Sequence, residues 1–212
     1  VIGPIATSPR APYPVAAREL LRETLLDAAG DQLQQRSWAE VTMADIASAA
    51  GVSRQTLYTE FGSRAEFSQA FVLRETDRFL EAVEQAVRAH EDDPATALAA
   101  AFDVFLSAAA EHPLIRALIS GDGTADSLLP LITTQGKPVV ESATERLSAV
   151  IVSSWPQVED SAAHLLAECL VRLAISYAAL PTGPTGMTAA SVTTLLGPFL
   201  EQVTGVTADS TS

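Results

Sequence analysis

The chain has 212 residues, 48% of them hydrophobic and only 6% aromatic, and carries a formal net charge of −13. That length can bury a substantial core in one domain or two small ones, while the lone Cys169 excludes an internal disulfide and a cysteine-based zinc site. No run of about 18 apolar residues predicts a membrane span, and the opening VIGPIATSPRAPYP lacks the basic start and long apolar block of an export signal, so a cytoplasmic location is expected.

Such acidity argues against a nucleic-acid partner, because DNA binding draws on Lys and Arg displacing condensed counterions. The charge is unevenly spread, however. Residues 1–80 hold 8 Arg against 10 Asp and Glu, whereas residues 81–212 hold 5 basic residues against 16 acidic ones. The first part is near neutral and can still present a local basic face, with the acidic remainder held away from a duplex.

Residues 1–14, with four Pro and Arg10 as the sole charge, read as a flexible arm. From about Val15 to Arg36, Leu21, Leu25, Ala28, Ala29 and Leu33 recur at helical spacing and predict an amphipathic first helix, with Trp38 and Val41 anchoring the connection after it. Arg18 and Arg22 lie one turn apart on that helix and are candidates for a shared phosphate strand or for ordinary surface charges.

The stretch Thr42 to Phe61, TMADIASAAGVSRQTLYTEF, predicts two short helices joined by a tight turn. Thr42 with Asp45 three residues on forms a capping box. Gly51 sits where a left-handed backbone ends the first helix, and Ser53 opens the second. Val52 and Leu57 pack back onto Ile46 and the small Ala47, which leaves Arg54, Gln55, Thr56, Tyr58 and Thr59 outside. That pattern is a helix-turn-helix whose second helix offers hydrogen-bonding side chains to a groove.

Over roughly Ala17 to Phe71 the string T-x-x-x-I-A-x-x-A-G-V-S-x-x-x-L-Y-x-x-F, followed by S-R-x-E-F, resembles the tetracycline-repressor (TetR) family of bacterial transcriptional regulators. Two positions depart from the family pattern. Glu60 stands where the family usually has His or Tyr, and would repel phosphate if directed at it; Arg64 replaces the common Lys. The resemblance implies an all-α protein of about nine helices with an N-terminal three-helix DNA-binding domain (15–62), a helical ligand-binding and dimerisation domain (63–206) and a frayed tail (207–212).

Ser63 and Glu66 suggest a second capping box opening a long helix to about His90, with Phe67, Phe71, Phe79, Val83 and Val87 as its core stripe. This helix starts in the DNA-binding unit and ends in the next domain. Further helices are expected from Pro94 to about Glu111, Pro138 to Ser154, Val158 to Leu180 and Thr188 to Val203, with a short segment around Ser127 to Thr133.

At DNA the candidates are Arg54, Gln55 and Thr56 for base edges and Thr42, Ser53, Tyr58, Thr59 and Arg64 for phosphates, since Arg reads guanine, Gln reads adenine and a Thr methyl meets that of thymine. The resemblance supports Tyr58 and Arg64 most directly. Tyr58 alternatively reads as a core aromatic with its hydroxyl at the surface.

The second domain is richer in Ala, Leu, Ile and Val than a thin bundle needs, which suggests an apolar cavity. Members of the family use such a cavity to sense small hydrophobic molecules. Candidate walls are Phe102, Phe105 and Leu106, then Leu118 and Ile119, then Leu147 and Ile151, then Leu173 and Tyr177, all of which suit a close-packed core equally well. Arg116, Arg146 or Arg172 would hold the carboxylate of a fatty acid or acyl compound. For a homodimer interface the apolar positions are Leu165, Leu166, Cys169 and Leu170 on one helix and Val192, Leu195, Leu196, Phe199, Leu200 and Val203 on the last, a four-helix arrangement in the family.

Catalysis has no constellation to rest on: His90, His112 and His164 are scattered, and Gly121-Asp122-Gly123 lacks the strand and Lys of a phosphate loop. Asp122 and Asp126 are too few for a metal. The reading is therefore a ligand-responsive repressor, without enzyme activity, cofactor or metal, that binds double-stranded palindromic operator DNA as a homodimer and is released by a small lipophilic effector. A helical lipid carrier with a vestigial DNA-binding unit is the rival, kept open by the acidity and by Glu60.

Overall fold

The computed structural model describes residues 13–111, 128–131, 133–179 and 188–205. Among these residues there are eight α-helices and one 3-10 turn: α1 (Tyr13–Leu33), α2 (Met43–Ala49), α3 (Arg54–Phe61), α4 (Arg64–Arg88), α5 (Pro94–Glu111), the 3-10 turn Leu129–Leu131, α6 (Lys137–Ser154), α7 (Asp160–Ala179) and α8 (Ala189–Thr204). The arm before Tyr13, residues 112–127 and the tail beyond Gly205 lie outside the described residues.

Local chemistry explains most of the boundaries. Thr42 Oγ1 accepts from the Asp45 N–H at 3.2 Å while the Thr42 N–H donates to the Asp45 carboxylate at 2.9 Å, so both halves of the expected capping box are made. Ser53 and Ser63 cap α3 and α4 through the N–H groups of Thr56 and Glu66. Only the serine half of the second box is present. Gly51 (φ 69°) and Gly62 (φ 80°) take the left-handed backbone that follows α2 and α3, where any side chain would be strained.

Two hydrophobic cores share α4, which at 25 residues is about 37 Å long. The first lies among α1, α2, α3 and the N-terminal half of α4. Leu25 and Ala29 of α1, Ile46 of α2, Leu57 of α3 and Phe67 of α4 are fully buried there. Trp38 stacks on Phe67 and Phe71 at centroid distances of 6.5 and 5.7 Å, and Phe61 meets Phe67 edge-on at 4.8 Å. Leu128, before the 3-10 turn, and Val139 of α6 are also buried in this core, so it recruits side chains from far beyond the helix-turn-helix.

The second core is built by the C-terminal half of α4 with α5, α6, α7 and α8. Here α4 packs on α5 and α6, α6 packs on α7, and α8 lies along α5. Phe105 meets Phe79 and Tyr177 edge-to-face and Phe102 at a tilt, forming one aromatic group. At the junction of the two cores, Arg74 is 9% exposed and reaches Asp27 of α1 at 2.7 Å and the equally buried Glu75 at 2.7 Å. Arg78 adds a second contact to Asp27 at 2.8 Å, which fastens α1 to the middle of α4.

Candidate nucleic-acid interface and effector cavity

The second helix of the helix-turn-helix is held from behind by Leu57 and Phe61, and by the Val52 N–H bonding the Ala47 carbonyl at 2.9 Å across the turn. Ser53, Arg54, Gln55 and Thr59 are consequently exposed, and Thr56 and Tyr58 are half-buried on its flanks. The Ser53 and Thr56 hydroxyls lie 2.8 Å apart, so part of their hydrogen-bonding capacity serves the cap. The Arg54 guanidinium stands over the Tyr58 ring at 5.4 Å, held on the outer face of α3. Thr42 is exposed beside this face, its hydroxyl donating to Asp45 at 2.7 Å.

Arg64, Arg18 and Arg22 are each engaged within the protein. Arg64 turns inward: its two Nη groups donate to the carbonyls of Val41 and Trp38 at 2.7 and 2.9 Å, and its guanidinium covers the Trp38 ring at 4.8 Å. Those carbonyls sit in a connection without helical partners, and Arg64 satisfies them, tying the start of α4 to the first core instead of being set out for phosphate. Arg18 and Arg22 converge on Glu60, at 2.9 and 2.8 Å. Burial pushes the Glu60 carboxyl up, but hydrogen bonds and charge from Arg22 and Arg18 outweigh it and hold the group below the usual carboxylate range. Glu60 is therefore an internal counterion whose charge is answered within the protein.

In the second core a cavity lined almost entirely by apolar atoms lies between α4, α5, α6, α7 and α8, partly open to solvent. Of the expected wall residues, Phe102, Phe105, Leu147 and Ile151 line it. Leu106, Leu173 and Tyr177 pack around the core without lining it, and Leu118, Ile119 and Arg116 lie outside the described residues. The sequence reading missed the wall that α4 supplies, Phe79, Leu80, Val83 and Val87. Their helical spacing was visible, but a core stripe and a cavity wall share one pattern.

Arg146 and Arg172 do not reach the cavity lining. Arg146 is drawn to the acidic outer side of α4, bonding the Asp77 carbonyl at 3.1 Å and Glu84 at 3.5 Å, and Arg172 pairs with Glu168 one turn back on the outer face of α7. In both cases a carboxylate within reach at the surface attracts the guanidinium more than an apolar wall can.

The expected dimer positions divide into two sets. Leu166, Val192 and Leu200 are buried in the subunit's own core, with Leu166, Leu170 and Leu200 lining the cavity, because those faces of α7 and α8 point inward. Leu165 (55% exposed), Leu195 (73%) and Cys169 face outward, and Leu196, Phe199 and Val203 are half-buried beside them. His90, in the turn after α4, and His164, on α7, are exposed, while His112, Asp122 and Asp126 lie outside the described residues. Among the described residues no helix is long and apolar enough to cross a membrane.

Comparison with known proteins decides the family. The sequence profile for bacterial regulatory proteins of the tetR family matches residues 25–71, and that of the bacterial tetracyclin repressor C-terminal domain matches residues 93–198. The HTH-type transcriptional regulator AlkX of Mycobacterium tuberculosis is 37% identical over 198 residues, 93% of each chain. The chain belongs to the TetR family of transcriptional regulators.

Among solved TetR-family structures, the repressor AlkX from Dietzia, described as implicated in biodegradation of n-alkanes, is 37% identical with a TM-score of 0.76, covering 86% of this chain and 96% of that one. A TetR-family regulator from Pectobacterium atrosepticum shares the fold at 19% identity and a TM-score of 0.63, covering 91% and 98%. The HTH-type transcriptional activator FasR of Mycolicibacterium smegmatis is 28% identical over 76% of this chain and 72% of its own. The two curated relatives are named as an HTH-type transcriptional regulator and activator, and the tetR-family profile falls on the end of α1, on α2 and α3 and on the start of α4.

Proposed function

We propose that the protein is a homodimeric repressor of the TetR family, binding a palindromic operator and released from it by a small lipophilic effector in the apolar cavity. The observation that carries this reading is the dual use of α4. Its first half, Phe67 and Phe71, is locked into the DNA-binding core, and its second half, Phe79 to Val87, is a wall of the cavity. An occupant that displaces this wall moves the helix on which α1–α3 are seated. The coupling is reciprocal, so DNA weakens effector binding by the factor by which effector weakens DNA binding.

Residues 15–62 act as the DNA-binding domain and residues 63–206 as the ligand-binding and dimerisation domain. Arg54, Gln55 and Thr56 read bases; Thr42, Ser53, Tyr58 and Thr59 meet phosphates. Pairing through the outward faces of α7 and α8, around Leu165, Cys169 and Leu195, sets two copies of α3 into successive major grooves about 34–36 Å apart. Repression is supported by likeness to the Dietzia repressor AlkX, and a lipophilic effector by a lining without a polar residue. With Arg146 and Arg172 engaged elsewhere, the hydrocarbon portion of the effector supplies the affinity within this cavity.

A mobility-shift titration with DNA from beside its own gene, in about 100 mM salt, tests the reading directly. Retarded dimer–DNA complex is expected, and its dissociation by a saturated fatty acid or an n-alkane. A chain that binds the fragment no better than random duplex, or whose complex and melting temperature ignore every such lipophile, overturns the respective half of the proposal. Leu195→Glu should yield monomers in sedimentation.

A further inference from the structure

Glu60 stands on α3 immediately before buried Phe61, one turn on from Thr56 and Leu57. Its side chain is only 10% exposed, and its two oxygens receive Arg18 Nε at 2.9 and 3.0 Å while one also receives Arg22 Nη1 at 2.8 Å. The Arg22 guanidinium additionally covers the Phe61 ring at 4.3 Å. Arg18 and Arg22 themselves are 65% and 37% exposed, so two solvent-facing cations beside the DNA-reading helix are anchored on a carboxylate beneath them.

The other arginines between Tyr13 and Leu80 are also engaged. Arg36 bonds Asp45 and the Glu40 carbonyl, Arg64 bonds two carbonyls, and Arg74 and Arg78 bond Glu23 and Asp27. Arg54, stacked on Tyr58 with an N–H reaching the Tyr58 hydroxyl at 3.5 Å, is the one among the described residues of this stretch that meets neither a carboxylate nor a backbone carbonyl. With 8 Arg against 10 acidic residues in positions 1–80, the surface that meets DNA has few cations in hand, and each one released or retained changes the counterion balance.

We propose that Glu60 sets the affinity of this regulator for DNA by retaining Arg18 and Arg22 as partners, withholding them from phosphate. This rests on α3 being the DNA-reading helix and adds a residue that tunes it. In the absence of the Glu60 charge, both guanidinium groups sit at the edge of α3 with no carboxylate to hold them, and the DNA-binding unit gains one unit of positive charge. Binding then tightens without regard to sequence, because phosphate contacts carry no base information.

The experiment compares the full chain with Glu60→Gln, with Arg18→Ala and with the triple variant Glu60→Gln/Arg18→Ala/Arg22→Ala, on the upstream fragment and on random duplex, across about 50–200 mM salt. Glu60→Gln should bind both DNAs several-fold tighter at low salt, with a slope of log affinity against log salt steeper by about 1 to 2, even as its melting temperature falls through loss of the ion pairs. The triple variant should lose both gains. Arg18→Ala alone, still folded around the Arg22–Glu60 pair, should change affinity less than about two-fold and leave the slope in place. A Glu60→Gln protein with unchanged slope or weaker binding to both DNAs overturns the proposal, as does an Arg18→Ala slope shallower by about 1, which would place Arg18 on phosphate already. The random duplex carries this test even where the upstream fragment holds no operator, so failure here is separable from failure of the repressor reading.

Discussion

In the first half of α4, Phe67 and Phe71 are fully buried and stack on Trp38, whereas two turns further on Phe79 meets Phe105 edge-to-face and lines an apolar cavity. One helix thus runs from an aromatic stack into a core that holds that cavity. The packed end is also bound by charge, through Arg64 to the carbonyls of Trp38 and Val41 and through Arg74 and Arg78 to α1. The contrast separates two duties. A reading head keeps its side chains at base edges only if its support is stiff, while a sensor needs a wall whose occupancy alters packing.

The contrast is sharpest in truncations of equal kind. Phe71→Ala should destabilise the protein by about 3–5 kcal/mol in urea unfolding, since the surrounding stack cannot collapse into the gap. Arg74→Met removes the cation 2.7 Å from the buried Glu75 carboxylate and should cost about 3 kcal/mol in the same assay. Leu147→Ala, on a wall already short of neighbouring atoms on one side, should cost only about 2 kcal/mol, at the low end for its class, and should change effector affinity where Phe71→Ala does not. If the two truncations prove equally damaging, the distinction between a stiff and a yielding core fails.

Smaller effects probe the surface. Arg54→Ala should weaken operator binding by roughly 1–2 kcal/mol relative to random duplex, with little loss of thermal stability, because its guanidinium meets only the half-buried Tyr58 at the rim of the first core. The pH dependence of stability is smaller still. Burial raises the Asp27 carboxyl, yet hydrogen bonds from Arg78 and Arg74 outweigh it and leave the group below its ordinary value, as the arginines do for Glu60. Carboxyls lowered on folding contribute stability that is complete above their unfolded values and is lost as pH falls through the folded ones. The stability gap between the native protein and Glu60→Gln should therefore be constant near neutral pH and close below about pH 4. A gap that persists in acid would mean that Glu60 acts through packing and not through charge.

The helix-turn-helix was legible because its determinants are local. A Thr and an Asp three residues apart, a Gly at the end of a turn and apolar residues at helical spacing act within a few residues of one another, and Thr42, Gly51, Ser53 and Leu57 all take the roles their neighbours imply. The cavity was partly legible for the opposite reason: an excess of apolar residues announces burial but not what is buried against what. Phe102 and Leu147 line it and Tyr177 does not, although nothing in their spacing separates them.

What the amino-acid sequence alone determined is the family, the run of helices and the exposed face of α3, because periodicity and caps are encoded by residues adjacent along the chain. Tertiary structure alone decided which partner each long charged side chain takes. Glu60 meets arginines 38 and 42 positions away, Arg64 meets carbonyls 23 and 26 positions away, and Arg146 leaves the expected cavity for acids of α4. It also decided which apolar faces of α7 and α8 are turned inward, since Leu166 and Leu165 differ by one position in the chain and by a full change of surroundings in space. A helical repeat says which side chains share a face; only the packing of helices far apart in the chain says what that face meets.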